Sequence, residues 1–174
     1  MAGSLIKIDE EIVTSAVASI SLLGIDSTYD VCMVKYNNLT ADADYRSVNF
    51  RFTHSGTPQT SANYDNANKK LKSNASFENR STTGFTYIRL DQFLGTGTSE
   101  TAQGIIYLYN MNSTTEYAFC TFENVTYNYV PFVAGGQGGG VFKNTGTARD
   151  GVNFTLSSSA NYTAGTFTLY GLKK

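Results

Sequence analysis

Ser47-Val48-Asn49-Phe50-Arg51-Phe52-Thr53 is the stretch that decides the fold. Val48, Phe50 and Phe52 alternate with Asn49, Arg51 and Thr53, a period of two that places three apolar side chains on one face of a strand and polar ones on the other. One face of this strand is core and the other is wet. Outward from it the same kind of pattern recurs. Ile20 and Leu22 alternate with Ser19 and Ser21 in an extended segment from about Glu11 to Leu23. Tyr29 to Asn37 carries apolar residues on both faces (Val31, Met33, Val34, Tyr36), which suits a central strand. Further strands are expected at Phe85 to Leu90, Gly104 to Asn110, Tyr117 to Phe122, Thr126 to Val130, Gly151 to Leu156 and Gly165 to Leu172. Turn residues separate them: Gly24 to Ser27, Gly95 to Gly97, Asn112-Ser113, the glycine run Gly135 to Gly140, and Asp150-Gly151.

Eight or nine short antiparallel strands with polar turns predict an all-β fold, a two-sheet antiparallel β-sandwich of jelly-roll type. Composition agrees: 12 Tyr and 11 Phe with many Thr, against 2 Pro, fit pleated surfaces joined by Gly, Asn and Ser turns. At 174 residues the chain suits one domain. We read 13–174 as the sandwich and 1–12 as an N-terminal anchor or edge segment. In it Leu5, Ile6 and Ile8 are the candidate assembly contacts, because an apolar strand there can add to a partner's sheet edge or pair within its own domain. Ser55 to Asn79 is polar and reads as one long surface excursion, with a short helix expected around Thr60 to Leu71 from the spacing of Ala62, Tyr64, Ala67 and Leu71.

Charge and motifs narrow the function. The 13 basic and 14 acidic side chains leave a net charge of -1, and only Lys69, Lys70 and Lys72 cluster, so no basic face for nucleic acid is expected. No apolar run is long enough to span a membrane, and Met1 to Glu11 is too acidic for a secretory signal, which predicts synthesis in a cytosol. Gly135 to Gly140 lacks the Lys-Ser/Thr of a phosphate loop and reads as a hairpin tip, or as a place where another chain's backbone comes close. His54 is the single histidine, so no triad or zinc set is available from it, and no cofactor is expected. Glu116 and Glu123, seven apart in a strand, fall on opposite faces and do not pair as glycosidase carboxylates. Asp42 with Asp44, and Asp9 to Glu11, read as solvated loop carboxylates before calcium ligands. Cys32 and Cys120 each fall in an expected strand and read as buried thiols, bridged only if their strands are neighbours. Seven Asn-x-Ser/Thr sequons follow from the Asn, Ser and Thr content alone. Tyr107, Tyr109, Tyr117, Tyr127 and Tyr129 supply rings that suit either core or wet contact with proteins and sugars.

Three stretches carry a resemblance. Gly24-Ile25-Asp26-Ser27-Thr28-Tyr29-Asp30-Val31 leads into a strand. Asn49 to Thr53 runs into the Ser55-Gly56-Thr57-Pro58 turn with Asn63-Tyr64-Asp65 following. The chain closes on Gly165-Thr166-Phe167-Thr168-Leu169-Tyr170-Gly171-Leu172. With these the chain resembles short β-rich structural proteins of tailed bacteriophages, notably those of marine and cyanobacterial hosts. The resemblance implies a virion component and no enzyme, commonly a jelly-roll homotrimer in contact with other capsid or tail proteins. The setting it implies is a capsid-exterior decoration or cement protein, with a tail fibre or adhesin subunit touching a host surface glycan as the alternative. A carbohydrate-binding module or polysaccharide depolymerase stands as a further alternative.

Overall fold

The computed structural model describes residues 4–90 and 93–173. Its strands are β1 (Leu5–Val13), β2 (Ser19–Leu23), β3 (Tyr29–Ala41), β4 (Val48–His54), β5 (Thr57–Pro58), β6 (Tyr64–Lys72), β7 (Glu78–Phe85), β8 (Ile88–Arg89), β9 (Ala102–Tyr109), β10 (Ala118–Tyr127), β11 (Val133–Phe142), β12 (Gly151–Leu156) and β13 (Tyr162–Lys173). Among the described residues the only helix is the 3-10 turn Ser157–Ser159. All strand pairs are antiparallel. The chain is therefore an all-β sandwich, and its winding is that of a jelly roll. β1 pairs β13, β2 pairs β12, β3 pairs β9 and β4 pairs β8, so the chain closes like a rolled ribbon. The pairings of β13 with β3 and β12 with β4 then join these into two sheets, β1-β13-β3-β9 and β2-β12-β4-β8.

Two insertions widen the first sheet. β10 and β11 follow β9 as successive hairpins, and the β6–β7 hairpin pairs on beyond β11, giving the eight-stranded order β1-β13-β3-β9-β10-β11-β6-β7. The predicted helix around Thr60 to Leu71 is thus absent. The segment is strand β6, with Tyr64, Asn66, Asn68 and Lys70 turned inward and Ala67, Lys69 and Leu71 outward. Three of the four inward side chains are polar, so the period of two left no apolar trace. The long excursion is likewise a hairpin of the sheet. Its entry is a two-residue turn in which Ser55 and Gly56 both have positive φ (49° and 71°), the backbone twist a tight hairpin requires.

The core lies between the sheets. Phe154 of β12 meets Phe167 (ring centroids 5.0 Å apart), Phe50 (5.9 Å) and Tyr36 (6.4 Å). Farther along, Tyr64 lies flat on Phe142 at 4.4 Å and contacts Phe52. Under the inserted strands the cover is the segment 86–90, which carries β8 at the edge of the smaller sheet. There Asn124 Nδ2 donates to the Leu90 carbonyl (2.9 Å) and Arg51 Nε to the Thr86 carbonyl (2.9 Å).

The glycine run is not a hairpin tip. Gly135 to Gly140 forms the middle of β11, between β10 and β6. Its inward members leave room for the chain's own 88–90 segment: a Cβ at Gly140 lands 2.8 Å from Ile88 Cδ1, and one at Gly136 3.2 Å from the Leu90 carbonyl oxygen. Close approach is the reason for the glycines, and the approaching backbone is intramolecular. Similarly, the two predicted strands over Tyr117 to Val130 are one strand, β10, and the extended reach from Glu11 to Leu23 is split between β1 and β2 in opposite sheets.

Cys32 on β3 and Cys120 on β10 both face Leu108 of β9 across their ladders, so they lie two strand spacings apart, roughly 9.5 Å, beyond the ~7 Å limit for a disulfide. Both are free and buried, and burial raises the Cys32 thiol to about 11 and that of Cys120 to about 12. Neither thiol is therefore expected to react with Ellman's reagent at pH 8 until the protein unfolds. Rapid labelling of the native protein would contradict this placement. In β11, Gly138→Ala drives a Cβ into the Asn68 side chain and the Ala67 carbonyl. The expected loss is about 1–3 kcal/mol in urea denaturation, and an unchanged midpoint would show that β6 and β11 are not packed as described.

Candidate functional site

The outer face of the eight-stranded sheet is the surface on which the chain spends apolar residues without covering them. Register aligns them. Leu5 on β1 pairs Leu172, Leu172 pairs Val31, Val31 pairs Tyr109, Tyr109 pairs Phe119 and Phe119 pairs Val141. One apolar row thus crosses six adjacent strands. The parallel row beneath it holds Tyr170, Met33 and Tyr107. A third row is polar: Lys35, Ile105, Glu123, Gln137 and Lys69 stand side by side, and Gln137 Nε2 donates to Glu123 Oε1 at 2.7 Å. Past it Val125, Tyr127, Val133 and Leu71 gather around Gly135.

Nine of these side chains (Leu5, Leu71, Ile105, Tyr107, Phe119, Val125, Tyr127, Val133, Leu172) are 36–52% exposed. They fall in two groups on either side of the polar row, Leu5, Leu172, Phe119 and Tyr107 on one side and Val125, Tyr127, Val133 and Leu71 on the other. Small residues give the face relief. Gly104 and Gly138 lie in troughs on either side of β10, one of about 350 Å³ lined also by Lys35, Gln103, Ile105, Glu123 and Val125, and one of about 290 Å³ lined also by Tyr107, Thr121, Glu123 and Gln137. At the β6 side Asp65 pairs with Lys143 (2.7 Å) and accepts the Gly84 N–H, and the Lys143 bond chiefly holds its carboxyl below the usual range. Glu78 sits between Lys72 and Arg80, which lower it to about 2.

The three candidate assembly contacts divide across β1. Leu5 is exposed and ends the apolar row, Ile6 is half-buried, and Ile8 turns in against the core next to Gly24. The sandwich begins inside the 1–12 segment: β1 is an edge strand of its own sheet, and a bulge between Lys7 and Asp9 lets the Asp9 carboxylate accept the Leu23 N–H (2.8 Å) and close that end of β2. His54 Nδ1 meets the Ala148 carbonyl at 3.0 Å, a loop contact. Asp42 binds Asn161 and Asp44 binds Thr96, so each ties two loops together. Glu116 precedes β10 and Glu123 lies on its outer face. Among the described residues no group of three or more His, Cys, Asp or Glu gathers as a metal set.

Four of the five tyrosines singled out by composition (Tyr107, Tyr117, Tyr127, Tyr129) are exposed, and Tyr109 is half-buried. The sequence reading missed Phe119, Val125 and Val133 as surface residues. A signal existed: β10 is apolar on both faces, with Ala118, Cys120 and Phe122 inward and Phe119, Val125 and Tyr127 outward, which is the pattern of a strand covered on two sides. In comparisons with family models, with curated proteins and with solved structures, nothing matches this chain.

Proposed function

We propose that this chain is a structural component of a bacteriophage particle, a capsid-exterior decoration or cement protein that assembles as a homo-oligomer, expected as a trimer, through the outer face of its eight-stranded sheet. The observation that carries the assembly reading is the apolar row from Leu5 to Val141, continuous across six strands and exposed at Leu5, Leu172 and Phe119. The polar row beside it, with Glu123 between Lys35 and Lys69, supplies the charges that fix register between copies. The particle setting is supported by the likeness of the Gly24 to Val31, Asn49 to Asp65 and Gly165 to Leu172 stretches to phage structural proteins. A tail fibre or adhesin subunit uses the same fold and the same interface and differs only in its place on the particle.

Sedimentation of the full chain tests the interface, with Phe119→Glu and Leu172→Glu as variants at exposed positions that leave the core intact. The wild-type chain is expected to be oligomeric, and each variant to dissociate with a constant raised at least about a hundredfold, since an apolar contact of roughly 1.5–3 kcal/mol is replaced by a buried charge. A wild-type monomer at high micromolar concentration, or an oligomer indifferent to both substitutions, removes the reading. Immunogold labelling of purified particles tests the setting separately: label in a lattice over the head supports decoration, label on the tail moves the protein to the alternative, and no label rejects both.

A further inference from the structure

A second surface, at the loop end of the sandwich, is built like a sugar platform. Tyr45 has positive φ (63°), a conformation uncommon for an aromatic residue, and is held in it by paired backbone bonds between Arg46 and Leu94 (3.1 and 2.8 Å). Its ring lies parallel to Phe93 at 4.3 Å and 2°, and the Tyr129 ring meets it edge-on at 5.7 Å. Phe93 is buried, with Lys70 Nζ 3.6 Å from its centroid. Phe93 covers one face of the Tyr45 ring, and half of Tyr45 remains open to solvent.

Two carboxylates lie in the loops that carry the rings. Asp44 Oδ1 takes the Thr96 N–H (2.8 Å) and hydroxyl (3.0 Å), which locks the 93–100 loop to the 42–47 loop, while Oδ2 of the same carboxylate faces no partner among the described residues. Glu100 Oε2 accepts the Gly97 N–H. Gly95 has to be glycine because a Cβ there overlaps the Glu100 carboxylate and comes within 2.9 Å of Tyr129 Cβ, so Tyr45, Phe93, Gly95, Glu100 and Tyr129 form one packed cluster.

We infer that Tyr45 is the stacking platform of a binding site for a neutral pyranoside, with Asp44 accepting from the sugar's hydroxyls. A rigid, half-open ring suits the apolar C–H face of a pyranose, and a free carboxylate oxygen beside it suits hydroxyl donors. Carboxylates of Asp44 and Glu100 stand against the cations of Lys70 and Arg89 about Phe93, so the experiment offers phosphate as the competing ligand. The site is separate from the outer sheet face and stands whether or not that face is an oligomer interface.

Saturation-transfer NMR on the full chain tests it with the methyl glycosides of glucose, galactose and mannose, each offered up to about 20 mM, a range suited to single-ring stacking. Transfer to the ring C–H protons of at least one glycoside is expected. Binding should weaken about tenfold in Tyr45→Leu, which still shields Phe93 but has no aromatic face, and stay within about threefold in Tyr45→Phe. Asp44→Asn, with the stack untouched, should weaken binding as well. No transfer from any of the three glycosides overturns the inference. So does transfer that survives Tyr45→Leu, or stronger perturbation of the Tyr45 ring signals by inorganic phosphate than by any glycoside.

Discussion

Everything else in the structure depends on the contact of Phe154 with Phe50, Tyr36 and Phe167, where the two sheets meet. β12 and β4 bring Phe154 and Phe50 from the smaller sheet, and β3 and β13 bring Tyr36 and Phe167 from the larger one. These four strands are the inner members of their sheets in the rolled ribbon, and each pairs on both sides. Large rings at this position set the separation of the layers near the ~10 Å of packed sheets and leave the flanking strands to close around them. Because β13 and β12 come from the end of the chain, and β3 and β4 from its first third, the core is non-local throughout. Topologies of this kind form slowly and hold their pairings together cooperatively.

The unequal width of the two sheets follows from the insertions and has a functional consequence. Under β10, β11 and β6 the rings of Tyr64 and Phe142 reach the smaller sheet, where they pack on Phe52, and farther along the inward side chains are Asn66, Asn68 and Asn124 rather than Leu or Phe. Amides suit this region because the covering segment 86–90 presents the backbone carbonyls of Arg89 and Leu90, and a buried carbonyl must find a donor. The glycines of β11 bring that segment close enough for the Asn124 bond to Leu90 to form. Widening the sheet in this way extends the outer face with little added apolar core, which suits the assembly role proposed for that face.

What the sequence made legible is set by which faces are apolar. Val48, Phe50 and Phe52 declare their strand because one face is core and the other polar, and the two-sheet architecture, down to the central place of β3, was readable from such patterns. β6 was not, because Asn66, Asn68 and Lys70 point inward and mimic a solvated loop. The glycine run misled for a related reason: glycine signals a turn by composition, but in β11 it serves the approach of Ile88 and Leu90, a tertiary fact with no local trace. The outer face was half visible, as Tyr107, Tyr109 and Tyr127, whose side of the sheet only register could decide. The Tyr45 platform had no sequence signature, since Phe93 and Tyr129 reach it from loops far along the chain.

The two proposed surfaces gain meaning from each other. A single aromatic ring with one carboxylate beside it gives millimolar affinity at best, because stacking is worth only ~0.5–1.5 kcal/mol beyond the area it covers. Such a site is of little use on an isolated monomer. On a closed homo-oligomer displayed many times over a particle, the same ring is repeated at fixed spacing, and binding several at once multiplies the effect by ~10²–10⁴ without any added contact. Fixed spacing requires that the platform not move relative to the interface. The bonds of Asp44 to Thr96 and of Arg46 to Leu94 meet that requirement by tying the loops that carry Tyr45 and Phe93 to one another at the end of the sandwich. A weak, rigid, repeated site is the arrangement that lets a structural protein hold a sugar-coated surface reversibly, and it places the demand for affinity on assembly rather than on any single pocket.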